Sequence, residues 1–340
     1  MRDVEGASCA AVRYGCALCM NDADRLAGQR QAEQFLTTRF GAGVADVRLL
    51  GQGDWSSAYV FRREGKDCVV RFGALREDFA RDALAAAFAT PALPIPRVEE
   101  IGAALGGFYA ISQRLFGVFL DDLDEADLRR VLPSLFAALD AARCADLSGS
   151  TGYGLWSAEG SGAGRGWRDW LLSVAEDSPA RRTHGWRARL AESPTGDGPY
   201  REALAAMTAL VAQCPEIRHL VHADLLHRNV LVADDRITGV FDWGCAIYGD
   251  FLYDHAWLSF WSPWFPAWRT IDFAGESRRH FAAIGLAVPR FEARLRCYAL
   301  HIGLDGQAYS AFTGQWDELE ATARRTLALA RAPLPTTDDL

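Results

Sequence analysis

Apolar positions alternate in the first third of this chain and fall into helical spacing afterwards. Short runs rich in β-branched and aromatic residues at 47–50, 58–62, 68–72, 98–101 and 108–113 predict strands, broken by glycine- and proline-containing turns. Helices are predicted at 30–39, with Phe35 and Leu36 inward, and at 77–88, ahead of Pro94-Ile95-Pro96. Beyond residue 113 the period changes. Leu132, Leu135, Phe136 and Leu139 recur at i, i+3, i+4 and i+7 in a helix expected at 128–143. Further helices are expected from 167 to about 177, at 202–213, from 248 onward, at 291–309 and at 316–331. The Gly- and Ser-rich stretch 148–166 reads as a loop and 178–199 as irregular. Residues 1–28 lack a strong period and read as an N-terminal extension, either disordered or partly upstream of a true start at Met20. Residues 333–340 read as a frayed tail.

Three short strands interrupt the helical half, at 219–221, 229–232 and 237–241, and each ends at a polar residue. The stretch reads HADLLHRNVLVADDRITGVFDWG from His222 to Gly244. It holds His222-x-Asp224, Asn229 after a gap of four, and Asp242-Trp243-Gly244 at the end of a hairpin turned by Asp234-Asp235. Taken singly, an Asp behind a strand is usually a turn former. Taken together, the set supplies one carboxylate for an acceptor hydroxyl, and an amide and a carboxylate for Mg²⁺, which is what phosphoryl transfer requires.

These residues resemble the aminoglycoside phosphotransferase family, relatives of the protein kinases. The resemblance extends over residues 30 to 315. Ala92-Leu93-Pro94-Ile95-Pro96, Ile111-Ser112-Gln113-Arg114, Trp167-Arg168-Asp169, the run from Arg218 to Asp224, Asp235-Arg236-Ile237-Thr238 and Ile302-Gly303-Leu304-Asp305 are most similar to the branch that phosphorylates the 4-hydroxyl of hygromycin B. Leu225-Leu226-His227-Arg228 and Gly244-Cys245 depart from that branch. The resemblance implies an α+β, protein-kinase-like fold of two lobes: a small antiparallel N-lobe at 29–112, a hinge at 113–117 and a larger helical C-lobe at 118–332. It implies an ATP-dependent (GTP is an alternative) O-kinase of an aminoglycoside antibiotic that gives resistance. Asp224 would be catalytic and Asn229 and Asp242 would hold Mg²⁺. Ser56 and Ser57 in the turn between the first two strands, Arg71 at the position of the kinase phosphate lysine, and hinge residues Gln113 and Leu115 would bind the nucleotide. A guanidinium can grip phosphate bidentately, and Asp82 or Glu77 could pair with Arg71.

The remaining chemistry is read from the residues. His222 reads as a brace for its loop, because no hydroxyl nucleophile or orienting acid is spaced to use it. Asp250 reads as a helix cap that also supports the loop. Glu176, Asp177, Asp254, Trp264 and Asp305 are candidate contacts for a cationic acceptor, with Trp264 lying in an aromatic run, 261–268, that alternatively packs in the core. The acidic stretch 121–127 reads as solvated. A zinc site from His219, His222 and His227 is disfavoured by the awkward facing of the first two on one strand. Net charge is −8 with no basic arm, so nucleic acid is not expected as a partner, and no apolar run approaches membrane-spanning length. Of eight cysteines, Cys16-x2-Cys19 lacks a second pair for zinc, and Cys68, Cys144, Cys214, Cys245 and Cys297 read as core residues. A reduced, cytoplasmic monomer is expected. Kinases of other small alcohols, a non-catalytic nucleotide-binding protein and a protein-phosphorylating regulator remain as alternatives.

Overall fold

The computed structural model describes residues 22–333 except residues 54 and 227. The chain opens with helix α1 (Asp22–Phe40), then strands β1 (Val44–Gln52), β2 (Ser56–Arg63) and β3 (Lys66–Gly73), helix α2 (Arg76–Ala85), and strands β4 (Val98–Ala104) and β5 (Gly107–Gln113). The five strands form one antiparallel sheet in the order β1-β2-β3-β5-β4. Successive side chains of a strand point to opposite faces. Cys68, Val70 and Phe72 of β3 therefore join Phe61 and Ile111 in a core covered by Ala32 and Leu36 of α1. The phenyl ring of Phe35 lies 5.4 Å from that of Phe72. The same alternation sends Arg71 to the opposite face, toward the second lobe.

The C-terminal lobe begins with β6 (Val118–Phe119), α3 (Glu125–Arg143), β7 (Tyr153–Trp156), β8 (Gly162–Gly164), α4 (Trp167–Leu172), α5 (Trp186–Glu192) and α6 (Gly198–Val211). It continues with β9 (His219–Val221), β10 (Val230–Ala233), β11 (Arg236–Val240), β12 (Ile247–Gly249), α7 (Leu252–Trp261), α8 (Phe273–Ala283), α9 (Phe291–Thr313) and α10 (Trp316–Arg331). Helix α9 is the central post, packed against α5, α6, α7 and α10. Gly303 lets α10 come close, since a Cβ there would overlap Thr326 Oγ1. At the junction of the lobes Gly117 has φ 154, and a Cβ would lie 2.7 Å from Val232 O. The link from the first lobe is thus pressed onto the β10–β11 hairpin, and Thr238 Oγ1 donates to Phe116 O at 2.7 Å.

Several expectations need correction. Helix α1 starts at Asp22, so residues 22–28 belong to it rather than to an extension. The stretch 148–166 carries β7 and β8, and β7 pairs with β12 some ninety positions on, a partner invisible to local patterning. The irregular stretch 178–199 contains α5, a seven-residue helix that buries only Trp186 and Leu190. Tyr248-Gly249 is strand, and the helix expected from 248 begins at Leu252. Cys144 and Cys245 are exposed rather than core, whereas Cys68, Cys214 and Cys297 are buried. Cys9, Cys16, Cys19, Met20, His227 and the tail from residue 334 lie outside the described residues.

Candidate active site

Strand pairing brings the motif together. β9 runs antiparallel to β12, with Val221 opposite Ile247. The exit of β9, leading to Asp224, therefore lies beside the approach to β12, which carries Asp242. The hairpin β10–β11 pairs Val230 with Val240, and Phe241 N–H donates to Asn229 O at 3.0 Å. Asn229 and Asp242 are thereby placed side by side at its open end. Asn229 Nδ2 donates to Asp224 O at 2.8 Å and to Asp224 Oδ2 at 3.2 Å, which leaves its amide oxygen as an acceptor. His222 is buried, with Nδ1 3.2 Å from the Asp224 backbone nitrogen and Nε2 3.1 Å from Phe241 O. Both ring nitrogens are occupied, so its place is that of a brace.

The loop is held from three further sides. Asp254 of α7 accepts the N–H groups of His222 and Ala223 at 2.9 and 2.8 Å. Burial pushes the Asp254 carboxyl up, while His222 and the two N–H groups pull it down. Asp121 accepts the N–H of Arg228 at 2.8 Å, and Asp122 pairs with the Arg228 guanidinium at 2.9 Å. The start of the acidic stretch 121–127 thus supports the catalytic loop instead of facing only solvent. Ala223 and Arg228 adopt φ of 61 and 70, so the loop relies on these contacts to hold a backbone shape that non-glycine residues disfavour.

Arg71 bridges the lobes. Its Nη1 is 2.6 Å from Asp82 and its Nη2 is 3.0 Å from Asp242. Asp82, not Glu77, is therefore the partner on α2, and its second oxygen accepts the Trp243 N–H at 2.7 Å. Burial and the neighbouring Asp242 push the Asp82 carboxyl up to about 6, against the pull of Arg71. Desolvation works to lower the Arg71 pKa, but Asp242 and Asp82 outweigh it and raise it. The amide oxygen of Asn229 and the carboxylate of Asp242 form a sparse, hard-oxygen set. That fits Mg²⁺, which keeps waters and takes its other ligands from phosphates. Ser56 and Ser57 are half-buried at the start of β2, beside the turn closed by Gly53 N–H to Ser56 O at 2.9 Å. Gln113 ends β5, exposed, and Leu115 lies over Gly239 of the hairpin.

The expected acceptor wall is largely rearranged. Asp305 of α9 is exposed. Arg181 stands 3.8 Å from Asp305. Asp177 instead accepts the N–H groups of Gly185 at 2.8 Å and Arg187 at 3.2 Å, and so caps α5. Asp254 is committed to the loop N–H groups of His222 and Ala223. Asp250 is fully buried and grips Arg294 at 2.9 and 2.7 Å and the Tyr298 hydroxyl at 2.5 Å. It caps Leu252 at 3.2 Å and does not reach the catalytic loop, whose support comes from Asp254. Trp264 stacks on Phe260 at 5.9 Å and packs on Trp261, which makes it a packing residue. Glu176 is exposed, and its backbone oxygen accepts from Arg181.

A family model described as the phosphotransferase enzyme family, APH, matches residues 38–284, well over half of the chain. The chain belongs to the APH family. This member is 35% identical over 302 residues to the Hygromycin-B 4-O-kinase of Escherichia coli, covering 88% of this chain and 84% of that protein. A thermostable mutant of aminoglycoside phosphotransferase APH(4)-Ia, solved as a ternary complex with AMP-PNP and hygromycin B, superposes with a TM-score of 0.77 at 34% identity. That match covers 88% of this chain and 98% of the other. The GDP complex of aminoglycoside 2'-phosphotransferase-IIIa, at 15% identity and a TM-score of 0.61 over 89% and 98%, shares the fold. The protein is thus a phosphotransferase with a kinase-like fold, acting on a hydroxyl group. No described helix is long and apolar enough to cross a membrane. Sequence reasoning missed three groups at the site of this APH protein: Asp121, Asp78 with Arg81 on α2, and Arg182. Arg81 donates from Nε to Trp156 O at 2.7 Å and from Nη1 to Gly244 O at 3.0 Å, and so ties α2 to the loop that follows Asp242. A buried arginine on a short helix has no local signature.

Proposed function

We propose that this protein transfers the γ-phosphate of ATP to a hydroxyl of hygromycin B, at the 4-position, and thereby gives resistance to that antibiotic. The observation that carries the reading is the complete Asp224, Asn229, Asp242 and Arg71 set around one cleft, in a chain 35% identical to a Hygromycin-B 4-O-kinase over most of both lengths. Mg²⁺ held by Asn229 and Asp242 would neutralise charge on the nucleotide phosphates. Asp224 accepts the hydrogen bond of the acceptor hydroxyl and takes its proton as the oxygen attacks, while Asn229 Nδ2 keeps the carboxylate aimed. Arg71, fixed by Asp82, aligns the phosphates, and Ser56 and Ser57 at the β1–β2 turn donate to their oxygens. Gln113 and Leu115 at the 113–117 hinge border the base. Positioning and charge neutralisation supply most of the rate.

A second reading, a kinase of another small alcohol, is favoured by one observation. Asp177, Asp250 and Asp254 are committed to groups of the protein itself, so of the candidate aspartates Asp305, exposed and near Arg181, is the one left for an acceptor amine. Transfer of labelled γ-phosphate from MgATP to hygromycin B, other aminoglycosides and small amino alcohols tests both, with Asp224→Asn as control. Phosphorylated hygromycin B, absent with the variant, is the expected result. Labelling of another acceptor alone would discard hygromycin B, and labelling of none would discard kinase activity on this panel.

A further inference from the structure

Two consecutive arginines in the loop after α4 face opposite ways. Arg181 turns toward α9, 3.8 Å from Asp305, and donates to the carbonyls of Ser173, Val174 and Glu176 at 3.3, 3.2 and 3.0 Å. Arg182 turns toward the nucleotide side. Its Nη2 bonds to Asp78 on α2, and its guanidinium lies 5.5 Å from the ring centre of Trp55, at the tip of the β1–β2 turn. Trp55 is 45% exposed, so this cation–π contact ties down a tip that packs little against the core. Asp78 is also bonded to Arg81 at 3.1 Å, and it lies against the loop that follows Asp242: a Cβ on Gly244 would be 3.5 Å from Asp78 Oδ1 and 3.6 Å from Asp242 Oδ1. The loop that presents the two arginines is closed at its ends by Asp177, which accepts the N–H groups of Gly185 and Arg187 at the start of α5.

We propose that Arg182 is a positioning residue that clasps the phosphate-side turn and α2 to the acceptor-side loop, so that nucleotide and acceptor each tighten the binding of the other. The chain of contacts runs Asp305, Arg181, Arg182, then Asp78 and Trp55. An acceptor lying against Asp305 fills the space beneath the loop and holds Arg182 on its partners, and the nucleotide beneath Trp55 does the same from the other side. Coupling of this kind is reciprocal. The identity of the acceptor rests on the hygromycin B reading, whereas the clasp itself rests on the contacts.

Two measurements on the full chain separate these. Hydrogen–deuterium exchange is compared between the wild type and Arg182→Ala, without ligands, for peptides covering the β1–β2 turn and residues 176–185. Faster exchange of both segments together in the variant is expected, with α9 unchanged as a control for folding. Unchanged exchange in both segments overturns the clasp whatever the acceptor is. Calorimetry then gives the MgADP affinity with and without hygromycin B. The wild type should bind MgADP about 5-fold or more tightly with hygromycin B present. Arg182→Ala should lose that difference, and Arg182→Lys, which keeps the charge on Asp78, should retain part of it. Equal coupling in the wild type and Arg182→Ala, or no coupling in a wild type that binds both ligands, overturns the proposal. If the wild type does not bind hygromycin B at all but the two segments loosen together in the variant, the acceptor assignment fails and the clasp stands.

Discussion

Asp254 and Ala223 are joined by a 2.8 Å hydrogen bond from the loop N–H to the helix carboxylate, and the other oxygen of Asp254 takes the His222 N–H at 2.9 Å. Helix α7 therefore holds the left-handed turn at Ala223 that aims Asp224. Asp250, four residues earlier, is as deeply buried but serves Arg294 and Tyr298. The two carboxylates separate function from stability. Asp254→Ala leaves two buried N–H groups without an acceptor, at about 1–3 kcal/mol each, and should also lower kcat strongly in the molecules that remain folded. Asp250→Asn should lower stability by about 3–5 kcal/mol through its broken pair with Arg294, while kcat per folded molecule stays within about 2-fold. Denaturant unfolding and turnover, measured on the same samples, check both.

Asp224→Asn keeps the side-chain shape beside Asn229 but removes the proposed proton acceptor. Its kcat should fall by about 10²–10⁴-fold while its MgADP affinity stays close to that of the wild type. Asn229→Ala should weaken the nucleotide affinity as well, since it removes a proposed metal ligand and the clamp on Asp224 together. Titration calorimetry beside initial rates distinguishes the two patterns.

Arg71→Lys tests why a guanidinium stands at the proposed phosphate position. Arg71 reaches Asp82 and Asp242 with separate nitrogens, and one ammonium cannot reproduce that fork. The KM for ATP should rise about tenfold, equivalent to about 1.4 kcal/mol. A wild-type KM in the lysine variant would show that charge alone is used.

Acid stability should reflect two buried histidines. His255 bonds through Nδ1 to Ser277 at 2.8 Å, and His301 through Nδ1 to the Tyr253 hydroxyl at 2.9 Å. Burial pushes both down to about 3, with His280 adding to the effect on His255 and Arg181 to that on His301. Their folded values lie below the ordinary 6.5. The unfolded chain therefore binds more protons between pH 6.5 and 3, and stability falls as the pH drops through that window. The slope is at most about 1.4 kcal/mol per pH unit for each histidine. Asp82, raised to about 6, acts in the opposite sense between pH 6 and its ordinary 3.8. Unfolding free energies at about pH 7 and about pH 5, outside and inside that window respectively, should show a shallower loss in His301→Gln than in the wild type.

The residues of the catalytic stretch are legible in the amino-acid order because each sits at the end of a short apolar strand, and strand patterning is local. Asp224, Asn229 and Asp242 fall at β9, β10 and β11 ends for that reason, and Arg71 falls on the polar face of β3 by simple alternation. The acids expected to meet the acceptor are not legible in the same way. Asp177, Asp250 and Asp254 look alike in sequence, yet the first caps α5, the second holds Arg294 and the third holds the catalytic loop.

Amino-acid order alone determined the antiparallel first lobe, the helical second lobe and the spacing of the phosphoryl-transfer residues, because hydrophobic period and turn residues act over a few positions. Only the tertiary structure decided which carboxylate meets which partner. Arg71 with Asp242, Asp121 with Arg228 and Arg182 with Asp78 are contacts between residues about a hundred positions or more apart. A buried charge takes whatever counter-charge or N–H group the packing of distant helices brings to it, and no local pattern in the chain records that choice.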